Sequence, residues 1–266
     1  MTDLELSDTS MELAATRSRP ENGVVTEKKV VEELDSVTVG KRMNRKLVSL
    51  LSPGSAETGR YQRLRHGVEK LHQGEQAVVV AVTSPMPGEG KSVTAINLAA
   101  SLSQNRAHRV LLIELDLRHP FTTVNQHLDV SPDKAGGKGV ADWIGDDRLR
   151  WADCVFYMPE CNLHVFSAGV KVKSPYEVLD SPRLAILFAE LRDQFDYIVV
   201  DTPPVNPVPD CQLIEPHVDR FVVVVAAGRT TNKQLEECLG MMQPEQVAGL
   251  VLNGVDIQED DSHGYY

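Results

Sequence analysis

Apolar and polar positions divide the chain into a weakly patterned beginning and a long region where predicted strands and helices alternate. From Gln76 onward, short apolar runs predict six strands, at Ala77–Val82, Val110–Ile113, Leu163–Phe166, Tyr197–Val200, Phe221–Val225 and Leu250–Leu252. Several of these runs are continuous and rich in valine, which is typical of strands that are covered on both faces.

The segments between these runs have the spacing of amphipathic helices. One predicted helix buries a single apolar face, which consists of Ala95, Leu98, Ala99 and Leu102. The pair Ser181-Pro182 is a typical N-cap and first turn of a helix, which we expect to end near Phe195. Alternating strands and helices predict an α/β fold of the doubly wound type, with a mainly parallel sheet and helices on both faces.

Composition and periodicity divide the chain into four segments. They are an acidic, disordered or loosely attached N-terminal arm at 1–40, a basic linker and leading helix at 41–75, the α/β domain at 76–256, and a short acidic tail at 257–266. The leading helix is predicted because Leu64, Val68 and Leu71 share one helical face. The basic cluster Lys41–Lys46 is compatible with contact to an anionic membrane surface and, as the favoured alternative, with a solvated linker.

Charge and cysteine content exclude several classes of function. The chain of 266 residues is 42% hydrophobic and has a net charge of −11, which argues against non-specific binding to nucleic acid. Its four cysteines have no metal-like spacing, and we expect free, partly buried thiols in a reducing cytoplasm. We see no apolar signal-peptide region, and no apolar run approaches the ~20 residues that a membrane-spanning helix needs.

A phosphate-binding loop is predicted at Ser84–Ser92, between the first predicted strand and the helix that follows it. Glycines let backbone N–H groups approach an anion closely, and the helix N-terminus adds positive potential. Lys91 supplies a mobile charge for the outer phosphates, and the Ser92 hydroxyl is a suitable Mg²⁺ ligand. The strict pattern has a glycine where Pro85 stands, so a structural turn is the alternative; strand, loop and helix together favour phosphate binding.

Acidic residues end two of the predicted strands. Glu114 and Asp116 follow the apolar run Leu111–Ile113 at alternating positions, and Asp201 follows Tyr197–Val200. Because the carboxyl ends of parallel strands gather at one edge of a sheet, Asp116 and Asp201 are predicted near a Mg²⁺ ion held by Ser92. Each acid taken singly is also explained as the start of a turn.

These three segments resemble the Walker A, Walker A′ and Walker B motifs of the bacterial tyrosine kinases, P-loop proteins of polysaccharide synthesis and export. The resemblance covers most of residues 76–256 and extends to the segments Ser174–Leu179, Ala227–Thr231 and Leu252–Val255. It implies a P-loop NTPase fold that binds ATP and Mg²⁺. The implied nucleotide contacts are Pro87, Gly88, Glu89, Gly90, Lys91, Ser92, Val93 and Asn253, the last of these near the adenine.

The resemblance also implies catalytic roles. Lys91 binds phosphates, Ser92 and Asp201 organise Mg²⁺, and Asp116 is a metal ligand or assists deprotonation of the attacking tyrosine. Glu114 stands where the family has aspartate and is a further candidate base or water-mediated ligand.

Another departure from the family concerns the substrate. The family's autophosphorylated tyrosine cluster is reduced to Tyr265 and Tyr266, which are the candidate phosphoacceptors.

The favoured interpretation is an ATP-dependent tyrosine autokinase that regulates exopolysaccharide polymerisation or export. It implies a separate membrane-anchored co-polymerase or activator protein as partner, a possible homo-oligomer, and a cytoplasmic location at the inner face of the cell membrane. The alternative is a nucleotide-binding module of the same export complex with little or no kinase activity. A positioning ATPase of the Min or Par type ranks lower, because Met86 stands where those proteins carry a second lysine.

Overall fold

An eight-stranded sheet runs through the centre of the computed structural model, which describes residues 34–38, 40, 42–72, 74, 76–118, 123–131 and 137–255. The strands are β1 (Asp35–Ser36), β2 (Val78–Thr83), β3 (Val110–Glu114), β4 (Val155–Met158), β5 (Leu163–Phe166), β6 (Tyr197–Asp201), β7 (Arg220–Ala226) and β8 (Val247–Asn253). The α-helices are α1 (Val48–Leu51), α2 (Ala56–Glu69), α3 (Lys91–Ser103), α4 (Val124–Leu128), α5 (Val140–Gly145), α6 (Pro175–Leu179), α7 (Pro182–Gln194), α8 (Asp210–Ile214) and α9 (Asn232–Gly240).

The strand order is β1-β4-β5-β3-β6-β2-β7-β8, and the β4–β5 pair is antiparallel, whereas the other pairs of described strands are parallel. The predicted mainly parallel, doubly wound α/β fold is therefore confirmed. The six predicted strands correspond to β2, β3, β5, β6, β7 and β8. The sequence interpretation missed β4, which reverses into β5 through a turn where Asn162 has a φ of 53°.

Helices cover both faces of the sheet and divide its core into two layers. On one face, Leu98 and Leu102 of α3 pack with Val80 and Leu112 of the sheet. On the other face, Leu187 and Leu191 of α7 belong to the same cluster as Ile113 and Ile198, which follow the opposite pleat. Burial on both faces explains why the central strands are continuous apolar runs.

The helix predicted to start at Ser181 is α7. The Ser181 hydroxyl accepts a hydrogen bond from the Arg183 N–H, and Pro182 occupies the first turn. All four residues of the predicted α3 face are buried, together with most of the rest of that helix. The helix is therefore enclosed nearly all round, between the sheet and α1 and α2.

Part of the predicted arm lies at the sheet edge. Strand β1 pairs with β4, and the Val37 N–H donates to the Tyr157 carbonyl over 2.8 Å. The predicted leading helix is α2, whose Val68 is buried, and Leu47 before α1 is fully buried. The division into arm, linker, domain and tail stays a prediction, and residues 1–33 and 256–266 lie outside the described residues.

The four cysteines are free thiols, and Cys154, Cys211 and Cys238 are buried. Burial raises the pKa of the Cys211 thiol to about 11. Within the described part of the chain, no helix has the length and apolar character needed to cross a membrane.

Candidate active site

The phosphate loop connects β2 to α3 and contains two glycines with left-handed backbone. Gly88 has a φ of 78° and Gly90, the N-cap of α3, has a φ of 98°. A Cβ atom built on Gly90 would lie 2.1 Å from Nδ2 of Asn253. Gly90 is therefore required twice, once by its backbone conformation and once by the side chain that packs against it.

The last residue of β8 and two residues that follow β7 hold the loop in place. Nδ2 of Asn253 donates to the Glu89 carbonyl over 2.8 Å, and Nη1 of Arg229 donates to the Gly88 carbonyl over 3.3 Å. The Thr230 hydroxyl donates to Oε1 of Glu89, whose Oε2 accepts from the Met86 N–H over 3.0 Å. Glu89 is buried, so its carboxylate shapes the loop from inside.

A buried lysine–carboxylate pair lies at the end of the loop. Nζ of Lys91 donates to Oδ2 of Asp116 over 2.6 Å, and both residues and Asp201 are at least nine-tenths buried. Oδ1 of Asp116 and Oδ1 of Asp201 are buried and have no hydrogen-bond partner among the described residues. These two carboxylate oxygens, together with the Ser92 hydroxyl that contacts Asp201, form an oxygen donor set that fits Mg²⁺.

The charges of Lys91, Asp116 and Asp201 influence one another's pKa values. Burial raises the pKa of Asp201 to about 6, although the Lys91 charge and a hydrogen bond from Ser92 oppose the rise. Burial lowers the pKa of Lys91, but the charges of Asp201 and Asp116 outweigh it, so the pKa is raised. Lys91 is thus protonated at neutral pH, ready to contact phosphate oxygens.

Glu114 makes contacts that its sequence position does not reveal. Its Oε1 accepts from the Val124 N–H over 2.9 Å, and its Oε2 accepts from the Ala168 N–H over 3.1 Å. Burial, with the charge of Asp201, raises the pKa of Glu114 to about 8. Both oxygens of this candidate base accept hydrogen bonds from backbone N–H groups. Glu114 therefore holds α4 and the segment after β5 next to the site.

Arg118, two residues after Asp116, forms a second ion pair that the sequence interpretation did not include. Its Nε and Nη2 bind the two carboxylate oxygens of Asp210 over 2.7 and 2.8 Å. Asp210, at the start of α8, is fully buried. This bidentate contact fixes the end of the β3 segment to α8.

A cavity of about 620 Å³ opens beside the phosphate loop. Its lining includes five predicted nucleotide contacts, Gly88, Glu89, Gly90, Val93 and Asn253. Residues of α2 and of the segment before it also line the cavity. The volume is in the range of small-molecule sites.

The structure thus brings together Lys91, Ser92, Asp116 and Asp201 as the sequence predicted. Glu114 stands opposite Asp201 in the sheet, and its carboxyl group binds backbone N–H groups. Pro87 lies half-exposed in the loop. The candidate phosphoacceptors Tyr265 and Tyr266 lie outside the described residues.

Known proteins resemble this chain in sequence and in structure. The family model described as "CobQ/CobB/MinD/ParA nucleotide binding domain" matches residues 80–264, so the chain has a nucleotide-binding P-loop domain. The chain is 30% identical to "Tyrosine-protein kinase YwqD" of Bacillus subtilis (strain 168) over 230 residues, which cover 85% of this chain and 93% of the relative.

Two further similar proteins are a sequence relative named for transport and a solved kinase domain. It is 30% identical over 233 residues to "Succinoglycan biosynthesis transport protein ExoP" of Rhizobium meliloti (strain 1021), covering 86% of this chain and 28% of that protein. The crystal structure of the VpsO kinase domain superposes with a TM-score of 0.64 at 29% identity, covering 80% of this chain and 97% of that one.

Proposed function

Because this chain belongs to the bacterial tyrosine-protein kinases, we propose that it transfers the γ-phosphoryl group of ATP to a tyrosine hydroxyl and thereby regulates exopolysaccharide polymerisation or export. The observation that carries the proposal is the buried Lys91–Asp116 pair beside Asp201 at the end of a preformed phosphate loop. Phosphoryl transfer depends mainly on positioning and charge neutralisation, and this cluster is built to supply both.

Each residue of the cluster has a role in this proposal. Lys91 carries three N–H donors, so it can keep its bond to Asp116 while it binds phosphate oxygens. Ser92, Asp116 and Asp201 would hold Mg²⁺, which neutralises phosphate charge when it is bound. A tyrosine hydroxyl has a pKa of about 10 and needs a nearby base or metal ion to become a competent nucleophile. Asp116 would supply one of these two, either as the base or as a ligand of Mg²⁺.

The proposed setting is the cytoplasmic face of the cell membrane. A membrane-anchored polysaccharide co-polymerase or activator protein is the proposed partner, supported by the likeness to ExoP. Self-association is a further proposal, whereas nucleic acid is not a proposed ligand because the net charge is −11.

The second candidate function is a nucleotide-binding regulatory module with little or no kinase activity. One observation favours it. Both oxygens of the Glu114 carboxyl group accept hydrogen bonds from backbone N–H groups, so this candidate base is already engaged within the chain.

The deciding experiment incubates the purified full chain with γ-labelled ATP and Mg²⁺. We expect label on tyrosine in the wild-type protein, loss of that label in Tyr265→Phe/Tyr266→Phe, and loss of both labelling and ATP binding in Lys91→Met. Lys233→Met, which removes an exposed lysine on α9, is the matched control and should behave as wild type.

The outcomes separate the two functions. ATP binding without any labelling would refute the kinase function and support the regulatory module. Labelling that persists in the double tyrosine variant would keep the kinase and reject the tail as acceptor. Unchanged ATP affinity of Lys91→Met by calorimetry would reject the proposed site itself.

A further inference from the structure

A second cavity lies at the carboxyl edge of the sheet, on the β3 and β5 side. Its volume is about 380 Å³, and its lining includes Glu114, Asn125 and Lys171. Both oxygens of Glu114 are held by backbone N–H groups. The cavity beside the phosphate loop is lined instead by residues at the ends of β7 and β8. The strand order places the ends of β3, β6 and β2, which carry the catalytic cluster, between the two cavities.

This placement sets the direction from which an acceptor can approach the phosphates. In phosphoryl transfer the attacking and leaving oxygens lie roughly in line across the transferred phosphorus. In the proposed function the leaving ADP extends from the phosphate loop towards Asn253, at the end of β8. The attacking hydroxyl therefore comes from the opposite side, where the second cavity opens.

Two lysines give the second cavity a positive rim. Lys138 and Lys171 are exposed, and neither forms an ion pair with a carboxylate of the described residues. The charge of Lys138 also acts on Asp146 and Asp153, so Lys171 is the better residue to test. The buried Oδ1 of Asn125 has no hydrogen-bond partner in the described part of the chain, so this wall also offers an unsatisfied acceptor.

The tail of the chain has the complementary charge. Residues 256–266 contain four acids and no lysine or arginine, and three of the acids form the run Glu259–Asp261. This run precedes the candidate phosphoacceptors Tyr265 and Tyr266. The four residues from Asp261 to Tyr265 span up to ~14 Å when extended, which is enough to cross from the lysine rim to the catalytic cluster.

The tail that fits the second cavity belongs to another copy of the chain. Neighbouring strands are about 4.8 Å apart, so β3 and β5 lie roughly 19–24 Å from β8 across the sheet. Fully extended, the four residues from Val255, just after β8, to Glu259 span at most ~14 Å. The start of the acidic run therefore falls short of the cavity of its own chain.

We propose that Lys171, together with Lys138, docks the acidic run Glu259–Asp261 of a second copy in this cavity and thereby selects tyrosines that follow acidic residues as phosphoacceptors. The proposal rests on the proposed function, because it requires that ATP occupies the phosphate loop and that the tail is the acceptor. Lys171 is then a positioning residue, since it contacts the peptide and not the reacting atoms.

A binding measurement tests the docking without phosphoryl transfer. A fluorescein-labelled peptide with the sequence of residues 256–266 is titrated with the full chain, Mg²⁺ and a non-hydrolysable ATP analogue, and its anisotropy is recorded. We expect Lys171→Glu to bind the peptide about tenfold more weakly, because repulsion replaces attraction, and to bind ATP with unchanged affinity. A peptide with lysine at all three positions of the acidic run should bind Lys171→Glu more tightly than the wild type.

Lys233→Glu, which reverses the charge of an exposed lysine on α9, is the matched control and should bind the peptide as the wild type does. A transfer assay then uses Lys91→Met as the substrate copy and Tyr265→Phe/Tyr266→Phe as the enzyme copy. Lys171→Glu in the enzyme copy should raise KM for the substrate copy about tenfold with little change in kcat. The same change in the substrate copy should have no effect.

The outcomes separate the docking site from the kinase function. Equal affinity of the wild type and Lys171→Glu for the acidic peptide would overturn the proposal, and so would an equal loss for the acidic and the basic peptide. An effect of Lys171→Glu only in the substrate copy would also overturn it. Peptide binding that depends on Lys171, without any transfer of label, would support the docking site and refute the proposed kinase function.

Discussion

Replacement of Gly90 by alanine should damage the phosphate loop through two separable effects. At a φ of 98°, an alanine costs about 1–2 kcal/mol relative to its preferred backbone conformation. The added methyl group would also lie 2.1 Å from Nδ2 of Asn253 and displace it from the Glu89 carbonyl. Loss of that hydrogen bond adds about 1 kcal/mol, for a total of about 2–3 kcal/mol.

Gly74 provides a control with a similar φ. Its φ is 97°, and a Cβ atom there would meet no atom of the described residues within 4 Å. Gly74→Ala should therefore show the conformational cost of about 1–2 kcal/mol without any contact with the loop. The free energies of unfolding of both variants are measured in urea, and ATP affinity is measured by calorimetry.

We expect Gly90→Ala to lose at least about tenfold in ATP affinity and Gly74→Ala to lose none, a difference of about 1.4 kcal/mol or more in binding. In Gly90→Ala/Asn253→Ala the methyl group has space, so the double variant should be less impaired than additivity of the single variants predicts. Equal destabilisation of the two glycine variants, with ATP affinity intact in both, would refute this account of the loop.

Two further predictions concern ionisable groups away from the phosphates. Arg118→Ala leaves the buried carboxylate of Asp210 unpaired and should cost about 3 kcal/mol in urea unfolding. Arg148→Ala, at the exposed pair with Asp146, should leave the free energy of unfolding close to that of the wild type, and equal losses in the two variants would contradict this difference. Burial lowers the pKa of His164 to about 4, whereas in the unfolded chain this histidine takes up its proton near pH ~6.5. Protonation therefore favours the unfolded state as the pH falls from ~6.5 to about 4, and the free energy of unfolding should decrease by up to about 3 kcal/mol over this range. His164→Phe should flatten the dependence of unfolding free energy on pH in this window, and an equally steep profile would count against the assignment.

The central part of the site was predictable because its determinants are local. A strand, a loop with Gly88 and Gly90, and a helix starting at Lys91 follow one another in the sequence, and each has its own pattern. The approach of Asp116 and Asp201 followed from parallel pairing, since β3 and β6 are neighbours and Glu114 stands opposite Asp201 in the register.

The supporting contacts were beyond local patterns. Arg118 and Asp210 are 92 positions apart, and the Ala168 N–H that binds Glu114 lies 54 positions further along the chain than that acid. Nothing in a single sequence pairs such residues. The role of Asn97 in α3 was equally unpredictable. Its buried amide donates to the carbonyls of Lys46 and Val93, whereas a polar residue inside a helix usually faces solvent.

Strand β4 was missed for another physical reason. The run Val155–Met158 has four residues and follows a 3₁₀ turn at Trp151–Cys154, in which every residue except Asp153 is apolar. A short apolar run next to buried residues of a helical turn has no distinct period. Its assignment as a strand depends on hydrogen bonds to β5, which only the folded chain makes.

The bond from Asn253 to the Glu89 carbonyl spans 164 positions of the chain. During synthesis the ribosome therefore releases the phosphate loop long before it releases the strand that holds the loop. A nascent chain that includes α9 but not β8 would have the loop sequence without its final support. The fully supported phosphate loop is therefore expected only after Asn253 has been synthesised and β8 has joined the sheet.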